Sequence, residues 1–361
     1  MAIQRNGQFD SSRRTFLKDG ALICAGVVLV SPFSYFLKSP SLRRDSILVQ
    51  RATFTMGTIV QASVVGDSHS HCNHAIDLIF REFYRIDRLM SVFKTDSQIS
   101  QINRQAGRAS VHVDGSVLEI LGLANQVSST TNGAFDVTIE PLMELWGFRS
   151  EAHLQAGSQR RPSDREIAET LHAVGHHNVI IEQNSLSVVL AHPRSRIDLG
   201  GIAVGYSLDR AAEILRAEGV ESALINHSGD LFALGSPPDS DAWEVRIADP
   251  LQPERACTSV QLRDRALSTS GSYGNFREIE SERFGHIIDP TDGFPSEAVL
   301  STTAIAPNAV AADGLSTASF VLGPERSEAV LRRFTDVELI SIIRRDGKLE
   351  LVHQQSPSST L

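Results

Sequence analysis

The chain has 361 residues, 41% of them hydrophobic, and a formal net charge of −9 at pH 7. This composition is typical of a folded globular protein, and the acidic balance argues against nucleic acid as a partner. With only three cysteines the chain is not a disulfide scaffold, and we expect Cys72 and Cys257 to be unpaired.

The N-terminal segment carries an export pattern. Residues 12–18 read SRRTFLK and precede the apolar run of residues 20–30. An arginine pair before a moderately apolar segment is typical of bacterial twin-arginine signals, whereas a basic cap on a buried helix is the alternative. The pattern predicts a periplasmic protein. The apolar stretch continues to Leu37, near the lower length limit for a membrane span, so retention as an inner-membrane anchor stays open beside cleavage, which we favour.

Hydrophobic spacing along the rest of the chain predicts helices and strands in an α+β order. A strand interrupted by Gly57 is expected first, followed by two amphipathic helices, and Asp346-Gly347 indicates a hairpin near the end. The polar residues 150–165 are expected to form an exposed excursion. The strands are expected at residues 54–65, 178–190, 222–235 and 243–248, and the helices at residues 72–90 and 117–127.

The most informative stretch is residues 198–206, which read DLGGIAVGY. Glycine has no side chain, so such a loop lets the backbone approach a ligand closely. A helix is predicted from Tyr206 to Leu215, with Gly219 ending it. A loop that leads into a helix N-terminus gathers free N–H groups and suits phosphate. Taken alone, the stretch is equally compatible with a plain strand-to-helix turn.

Asp313 and Thr317 are four residues apart in a segment with helical spacing. On a helix both oxygens would share one face, where a hard cation such as Mg²⁺ can bridge them. From spacing alone, a solvated aspartate and a threonine bonded to the backbone explain the pair better. His286 precedes the turn-rich residues 289–295 and is either a proton acceptor near neutral pH or a structural histidine. Residues 226–230 and 269–271 offer hydroxyls and glycines to a phosphate or a flavin edge, as many loops do.

The order of these segments resembles that of the ApbE family, the FAD:protein FMN transferases, over residues 51–335. The segments that carry the resemblance are residues 56–58, 87–97 with Asn103, 133–148, 198–206, 226–230, 269–271, 286–290 and 312–317. The resemblance implies an α+β fold with two intertwined sheet-and-helix lobes and FAD in the cleft between them. It also implies a Mg²⁺-dependent transferase that splits FAD, joins FMN to a threonine or serine hydroxyl of a target flavoprotein and releases AMP.

The resemblance also assigns roles to residues of this chain. It places the metal on the backbone carbonyl of Gly201 and on Asp313 and Thr317, with Ser316 beside them. It gives His286 the task of deprotonating the incoming hydroxyl. The positions expected around FAD are Met56, Phe93, Ala134, Phe135, Asp136, Asp198, Val204, Gly229, Thr269, Ser270, Gly271 and Ile287.

Two departures from the family pattern leave alternatives open. Val204 stands where the family usually has lysine, and His227-Ser228 where it usually has Ala-Gly. A lost ammonium group is expected to weaken FAD binding. Hydrolysis of FAD to FMN and AMP is one alternative, because water can replace the protein hydroxyl at the same site. A non-catalytic FAD carrier is the other.

We expect residues 1–45 to form the signal and linker, residues 46–353 the transferase domain, and residues 354–361 a disordered tail. The expected partner is an exported or membrane flavoprotein that carries the acceptor threonine or serine. Contact with the membrane is expected only through the signal or through that partner.

Overall fold

The computed structural model describes residues 46–149, 160–272 and 274–357. The predicted export signal, most of the predicted polar excursion and the last four residues lie outside these ranges. Within them, none of the helices combines the length and the hydropathy needed to cross a membrane.

The described residues form seven α-helices and fifteen strands. The helices are α1 (His69–Met90), α2 (Gln98–Gln105), α3 (Gly115–Thr130), α4 (Glu140–Leu145), α5 (Asp164–Leu171), α6 (Ala203–Ala217) and α7 (Ala309–Leu331). The first strands are β1 (Ile47–Thr55), β2 (Thr58–Gly66), β3 (Val111–His112), β4 (Val179–Glu182), β5 (Ser187–Leu190), β6 (Ser222–His227), β7 (Asp230–Leu234) and β8 (Trp243–Asp249). The remaining strands are β9 (Gln252–Leu262), β10 (Arg265–Gly271), β11 (Phe276–Ile279), β12 (Glu282–Gly285), β13 (Ser301–Ala306), β14 (Glu338–Arg345) and β15 (Lys348–Gln355). Strands β6 to β13 follow one another without an α-helix between them.

An eight-stranded sheet forms the centre of the protein, in the order β1-β2-β6-β7-β10-β13-β14-β15. Every neighbouring pair in it is antiparallel. Helices α1, α6 and α7 pack on one face, with α7 against β10 and β13 and α6 between α7 and α1. The buried face of α1 includes Ile76, Ile79, Phe83 and Ile86, at helical spacing. Each such side chain stabilises the fold by about 1.5–3 kcal/mol when it leaves water.

The other face of the sheet is covered by the ribbon of β8 and β9. Trp243, Val245 and Ile247 of β8 pack against Leu267 and Ile340 of the sheet in a second buried cluster. A smaller sheet, in the order β3-β5-β4, is formed by the chain between β2 and β6. Its residues share the main hydrophobic core, because Val188 and Leu190 belong to the same cluster as α1. The two parts are therefore interleaved in sequence, and the predicted α+β fold is confirmed.

The predicted helices and hairpins are confirmed, with two corrections. The strand expected over residues 54–65 is two strands, because Met56 and Gly57 have positive φ angles of 49° and 77° and form the two-residue turn of a β1–β2 hairpin. The first residues of the expected tail belong to the fold, and residues 358–361 lie outside the described ranges. β15 continues to Gln355, and the Val337 N–H donates a hydrogen bond of 2.8 Å to the buried Ser356 hydroxyl. Cys72 and Cys257 are both free, as expected.

Candidate active site

The glycine stretch leads into α6 as predicted. The Gly200 N–H donates to Asp198 Oδ1 (2.9 Å), and the helix begins at Ala203. A Cβ on Gly205 would lie 2.3 Å from the Ala309 carbonyl oxygen, so only glycine fits where α6 crosses the start of α7. The helix ends as predicted, because Gly219 has a φ of 74° and its N–H donates to the Arg216 carbonyl.

Helix α7 presents Asp313, Ser316 and Thr317 toward this loop. The Gly205 N–H donates to Asp313 Oδ2 (2.9 Å), which ties the carboxylate to the start of α6. A Cβ built on Gly201 would lie 3.4 Å from Thr317 Oγ1, so the glycine backbone lies directly against the threonine hydroxyl. The predicted metal residues Gly201, Asp313, Ser316 and Thr317 are therefore brought together.

Strand β10 adds hydroxyl groups to the same place. Ser270 Oγ lies 2.9 Å from Ser316 Oγ and 3.1 Å from Thr317 Oγ1. Ser268 Oγ lies 3.1 Å from Ser316 Oγ. Because alternate residues of a strand share a face, Ser268 and Ser270 both point toward α7.

The Thr269 side chain lies on the opposite face of the sheet. Its hydroxyl oxygen lies 2.8 Å from Thr303 Oγ1 of β13. The structure thus separates this predicted FAD residue from Ser270, and only its backbone faces the cluster. Sequence reasoning grouped the two hydroxyls because they are neighbours in the chain, whereas the pleat sends neighbours apart.

Asp230 is a site residue that sequence reasoning missed. It opens β7, and the Ser268 hydroxyl and the Thr269 N–H act to lower the pKa of its carboxyl group. Burial raises the pKa of its carboxyl group and that of Asp313, and the charge of Asp230 raises the pKa of Asp313 further. None of the ion pairs of the described residues involves either carboxylate. Asp230 belongs to the segment of residues 226–230, in which the sequence draws attention to the glycine and the hydroxyl group and not to the carboxylate.

This donor set fits a hard divalent cation. The buried carboxylate of Asp313 and the half-buried carboxylate of Asp230 lie beside four hydroxyl groups and repel each other unless a positive charge lies between them, and Mg²⁺ prefers oxygen ligands of these kinds. The described residues contain no group of three or more His, Cys, Asp or Glu side chains placed to hold a metal. A cation here therefore depends on hydroxyl, backbone and substrate oxygens in addition to Asp230 and Asp313.

His286 lies at the base of the β11–β12 hairpin. Its N–H donates to the Asn275 carbonyl oxygen (3.2 Å), and its Nδ1 lies 3.1 Å from the same oxygen. A carbonyl only accepts, so Nδ1 carries the proton and Nε2 of the neutral ring has a lone pair, which accepts no hydrogen bond from the residues that the structure describes. Burial lowers the pKa of His286 to about 4, and the Arg149 guanidinium lowers it as well. The ring is therefore neutral at neutral pH, which is the form that a general base requires.

Asp198 and Phe93 are connected through an arginine that the sequence did not predict. The Arg149 guanidinium forms an ion pair with Asp198 and lies 5.4 Å from the centre of the Phe93 ring. Arg149 directly follows the predicted segment of residues 133–148, and nothing in the sequence marks it as a site residue.

The other predicted FAD residues lie in different local environments. Asp136 is buried and its carboxylate is committed to the protein, accepting from the N–H of Thr138 (2.8 Å) and of His176 (2.6 Å). The turns that carry Met56 and Gly229 are tied together by the hydrogen bond between the Thr58 and Ser228 hydroxyls. Ala134, Phe135, Gly271 and Ile287 are buried, and Val204 is half-buried in the first turn of α6.

Comparisons with known proteins point to one family. The sequence model of the ApbE family matches residues 56–341. The FAD:protein FMN transferase of Escherichia coli (strain K12) is 32% identical over 282 residues, which cover 77% of this chain and 80% of that protein. That of Klebsiella pneumoniae (strain 342) is 31% identical over 286 residues, which cover 77% and 79%.

Two solved structures are also similar. The flavin transferase ApbE from Vibrio cholerae superposes with a TM-score of 0.75 at 28% identity, covering 87% of this chain and 98% of that one. The flavinyl transferase ApbE from Pseudomonas stutzeri in its apo form has a TM-score of 0.74 at 29% identity, covering 86% and 95%.

Proposed function

Because the chain belongs to the ApbE family, we propose that it is a Mg²⁺-dependent flavin transferase with FAD as its substrate. It joins FMN to a threonine or serine hydroxyl of a target protein and releases AMP. The relatives named FAD:protein FMN transferase support the flavin transfer. The oxygen donors of the site support the metal, and His286 supports a hydroxyl as the acceptor. AMP is the part of FAD that remains when FMN is joined to that hydroxyl.

The observation that carries the proposal is the neutral imidazole of His286, whose Nδ1 faces the Asn275 carbonyl and whose Nε2 has the lone pair. Nε2 accepts the proton of the acceptor hydroxyl as its oxygen bonds to the FMN phosphorus. The bond from that phosphorus to the bridging oxygen breaks, and AMP leaves with that oxygen. A positioned base of this kind contributes about 10²–10⁴-fold to the rate.

Asp230 and Asp313 are the residues that would hold Mg²⁺, together with the Thr317 hydroxyl and the Gly201 carbonyl. When bound, Mg²⁺ neutralises charge on the pyrophosphate oxygens. The Gly201 backbone lies against Thr317, which lets phosphate oxygens approach the same place without a side chain in the way.

We further propose that the protein works outside the cytoplasm on an exported or membrane flavoprotein. The support is the twin-arginine pattern of residues 12–18 and the apolar run that follows it. These residues lie outside the part of the chain that the structure describes, so this proposal rests on sequence alone.

The test is the intact mass of an acceptor flavoprotein domain after incubation with the protein, FAD and Mg²⁺. We expect a gain equal to one FMN phosphoryl group, abolished by a chelator and by replacing the acceptor threonine with valine. Release of FMN and AMP without an adduct would identify a hydrolase, and bound FAD with neither product would identify a carrier.

A matched pair of histidine variants tests the base. His286→Gln is expected to lower the transfer rate at least about 100-fold while FAD still binds. His112→Gln is the control, since its Nδ1 also lies beside a backbone carbonyl, at 3.0 Å, but on an exposed strand of the small sheet. Equal losses in both variants would contradict the role of His286.

A further inference from the structure

Arg149 contacts two residues of the FAD site from one position. Its Nε donates to Glu140 Oε2 (2.6 Å), and its guanidinium forms an ion pair with Asp198. The same guanidinium lies over the Phe93 ring at 5.4 Å from the centroid. These two carboxylates are the charged groups that contact Arg149 within the described ranges. The arginine is largely buried, with 18% of its side chain exposed, so its ion pairs with the two carboxylates are shielded from water.

Phe93 is unusual for an aromatic side chain because 77% of its surface is exposed. It follows the end of α1, and Arg149 covers one face of its ring. A ring exposed to this extent gains little from burial, and the cation–π contact with Arg149 stabilises its orientation. Its uncovered face is left free to stack on a planar aromatic group.

We infer that Arg149 is a positioning residue of the FAD site, which holds Phe93 as a stacking platform for a planar ring of FAD and fixes Asp198 beside it. The inference rests on the proposed function, because FAD is the ligand that brings an isoalloxazine ring and an adenine ring. Either ring offers the same stacking chemistry, and the choice between them is measurable.

Arginine suits this position better than lysine does. A planar guanidinium can lie over an aromatic ring while its edges face two carboxylates, as Arg149 does with Phe93, Glu140 and Asp198. An ammonium group has no plane to stack and no fork to divide between two carboxylates. The contacts of Arg149 therefore use the geometry of the side chain as well as its charge.

The first test is FAD binding, followed by quenching of flavin fluorescence, which reports on the site even if no transfer occurs. Arg149→Met and Phe93→Leu are each expected to weaken binding about tenfold, and Arg149→Lys less. The double variant is expected to bind FAD about as weakly as either single variant, since each substitution disrupts the same platform. Losses that simply multiply would contradict the inference. So would unchanged binding in Arg149→Met.

FMN and AMP serve as separate probes of the stacked ring. The platform carries isoalloxazine if Arg149→Met weakens FMN alone, and adenine if it weakens AMP alone. If neither affinity changes, the inference is wrong. If the unmodified protein binds these ligands but does not transfer FMN, that result contradicts the proposed function but not the role of Arg149 in binding.

A pH profile separates positioning from a general loss of stability. Because the charge of Arg149 lowers the pKa of His286, the acid limb of kcat/KM is expected at higher pH in Arg149→Met and unchanged in Arg149→Lys. Arg216→Met is the matched control, as Arg216 also lies 5.4 Å from a phenylalanine ring but at the C-terminal end of α6. A shift of the acid limb in that control would overturn the reading of the profile.

Discussion

The charge of Asp230, at the start of β7, raises the pKa of Asp313, near the start of α7. The carboxylates of half-buried Asp230 and buried Asp313 thus repel each other, beside the hydroxyl groups of Ser268 and Ser316. Like charges held close together out of bulk water destabilise the fold unless a cation or a proton neutralises one of them. This relationship makes the pair the centre of the candidate metal site.

Asp230→Asn is therefore expected to have opposite effects on stability and on metal use. The chelated protein should melt at a higher temperature, because the repulsion on Asp313 is removed. The Mg²⁺ concentration for half-maximal transfer should rise at least about tenfold, equivalent to about 1.4 kcal/mol of binding. Thermal melting with chelator measures the stability, and a Mg²⁺ titration of activity measures the metal requirement. Asp241→Asn, at an exposed position, should change neither.

Two neighbouring residues of β10 are expected to differ sharply. Ser270→Ala removes a hydroxyl that contacts Ser316 and Thr317, so the Mg²⁺ requirement should rise several-fold. Thr269→Val removes a hydroxyl on the opposite face, so transfer should stay within about twofold of the original rate. Equal effects of both substitutions on the Mg²⁺ titration would show that the strand faces are assigned wrongly.

His227 is expected to make the protein acid-sensitive. Burial lowers its pKa from 6.5 to about 4, its Nε2 has no hydrogen-bond partner among the described residues, and the Phe83 ring lies 5.6 Å away. Between these pKa values the unfolded chain binds more protons, so stability is full above pH 6.5 and falls as the pH falls. The loss from pH 7 to pH 5 should be about 2 kcal/mol.

The variant His227→Gln checks this dependence by urea unfolding at pH 7 and pH 5. It cannot titrate, so its stability should change by about 2 kcal/mol less between the two pH values than that of the unmodified protein. His286, with its own lowered pKa, remains in both proteins and cancels in the comparison. An identical pH dependence would mean that His227 is not the group responsible.

The turn of the β11–β12 hairpin is expected to gain from glycine. Glu280 and Ser281 both have positive φ angles, 52° and 70°, which favour glycine. Ser281→Gly should stabilise the protein by about 0.5–1 kcal/mol in urea unfolding. Ser259→Gly, on the exposed surface of β9, is the control of opposite sign, because glycine weakens a strand interior. Loss of stability in both variants would contradict the assigned turn.

Export is expected to depend on one arginine pair and not on the next. Replacing Arg13 and Arg14 with lysine should abolish appearance of the protein in the periplasmic fraction, because the pair is the part of the signal that the pathway reads. The same change at Arg43 and Arg44 keeps the charge and lies outside the pattern, so export should continue. Cell fractionation with immunoblotting compares the two.

Several features of this protein were determined by local sequence. The periodicity of α1 and the Asp346-Gly347 turn follow from contacts between residues close in the chain, so pattern alone predicted them. The order of the site segments was enough to identify the family resemblance. The β1–β2 hairpin was missed because a two-residue turn at Met56 and Gly57 leaves the apolar run almost unbroken.

What the sequence left undecided depends on contacts between distant segments. Asp230 meets Asp313 only because the sheet order places β7 beside β10, and α7 lies across β10. Strand alternation says that Thr269 and Ser270 face opposite ways, but only the position of α7 decides which of them joins the site. Arg149 reaches Phe93 and Asp198 through folding alone, since ion pairs and cation–π contacts between distant residues leave no periodic trace in a sequence.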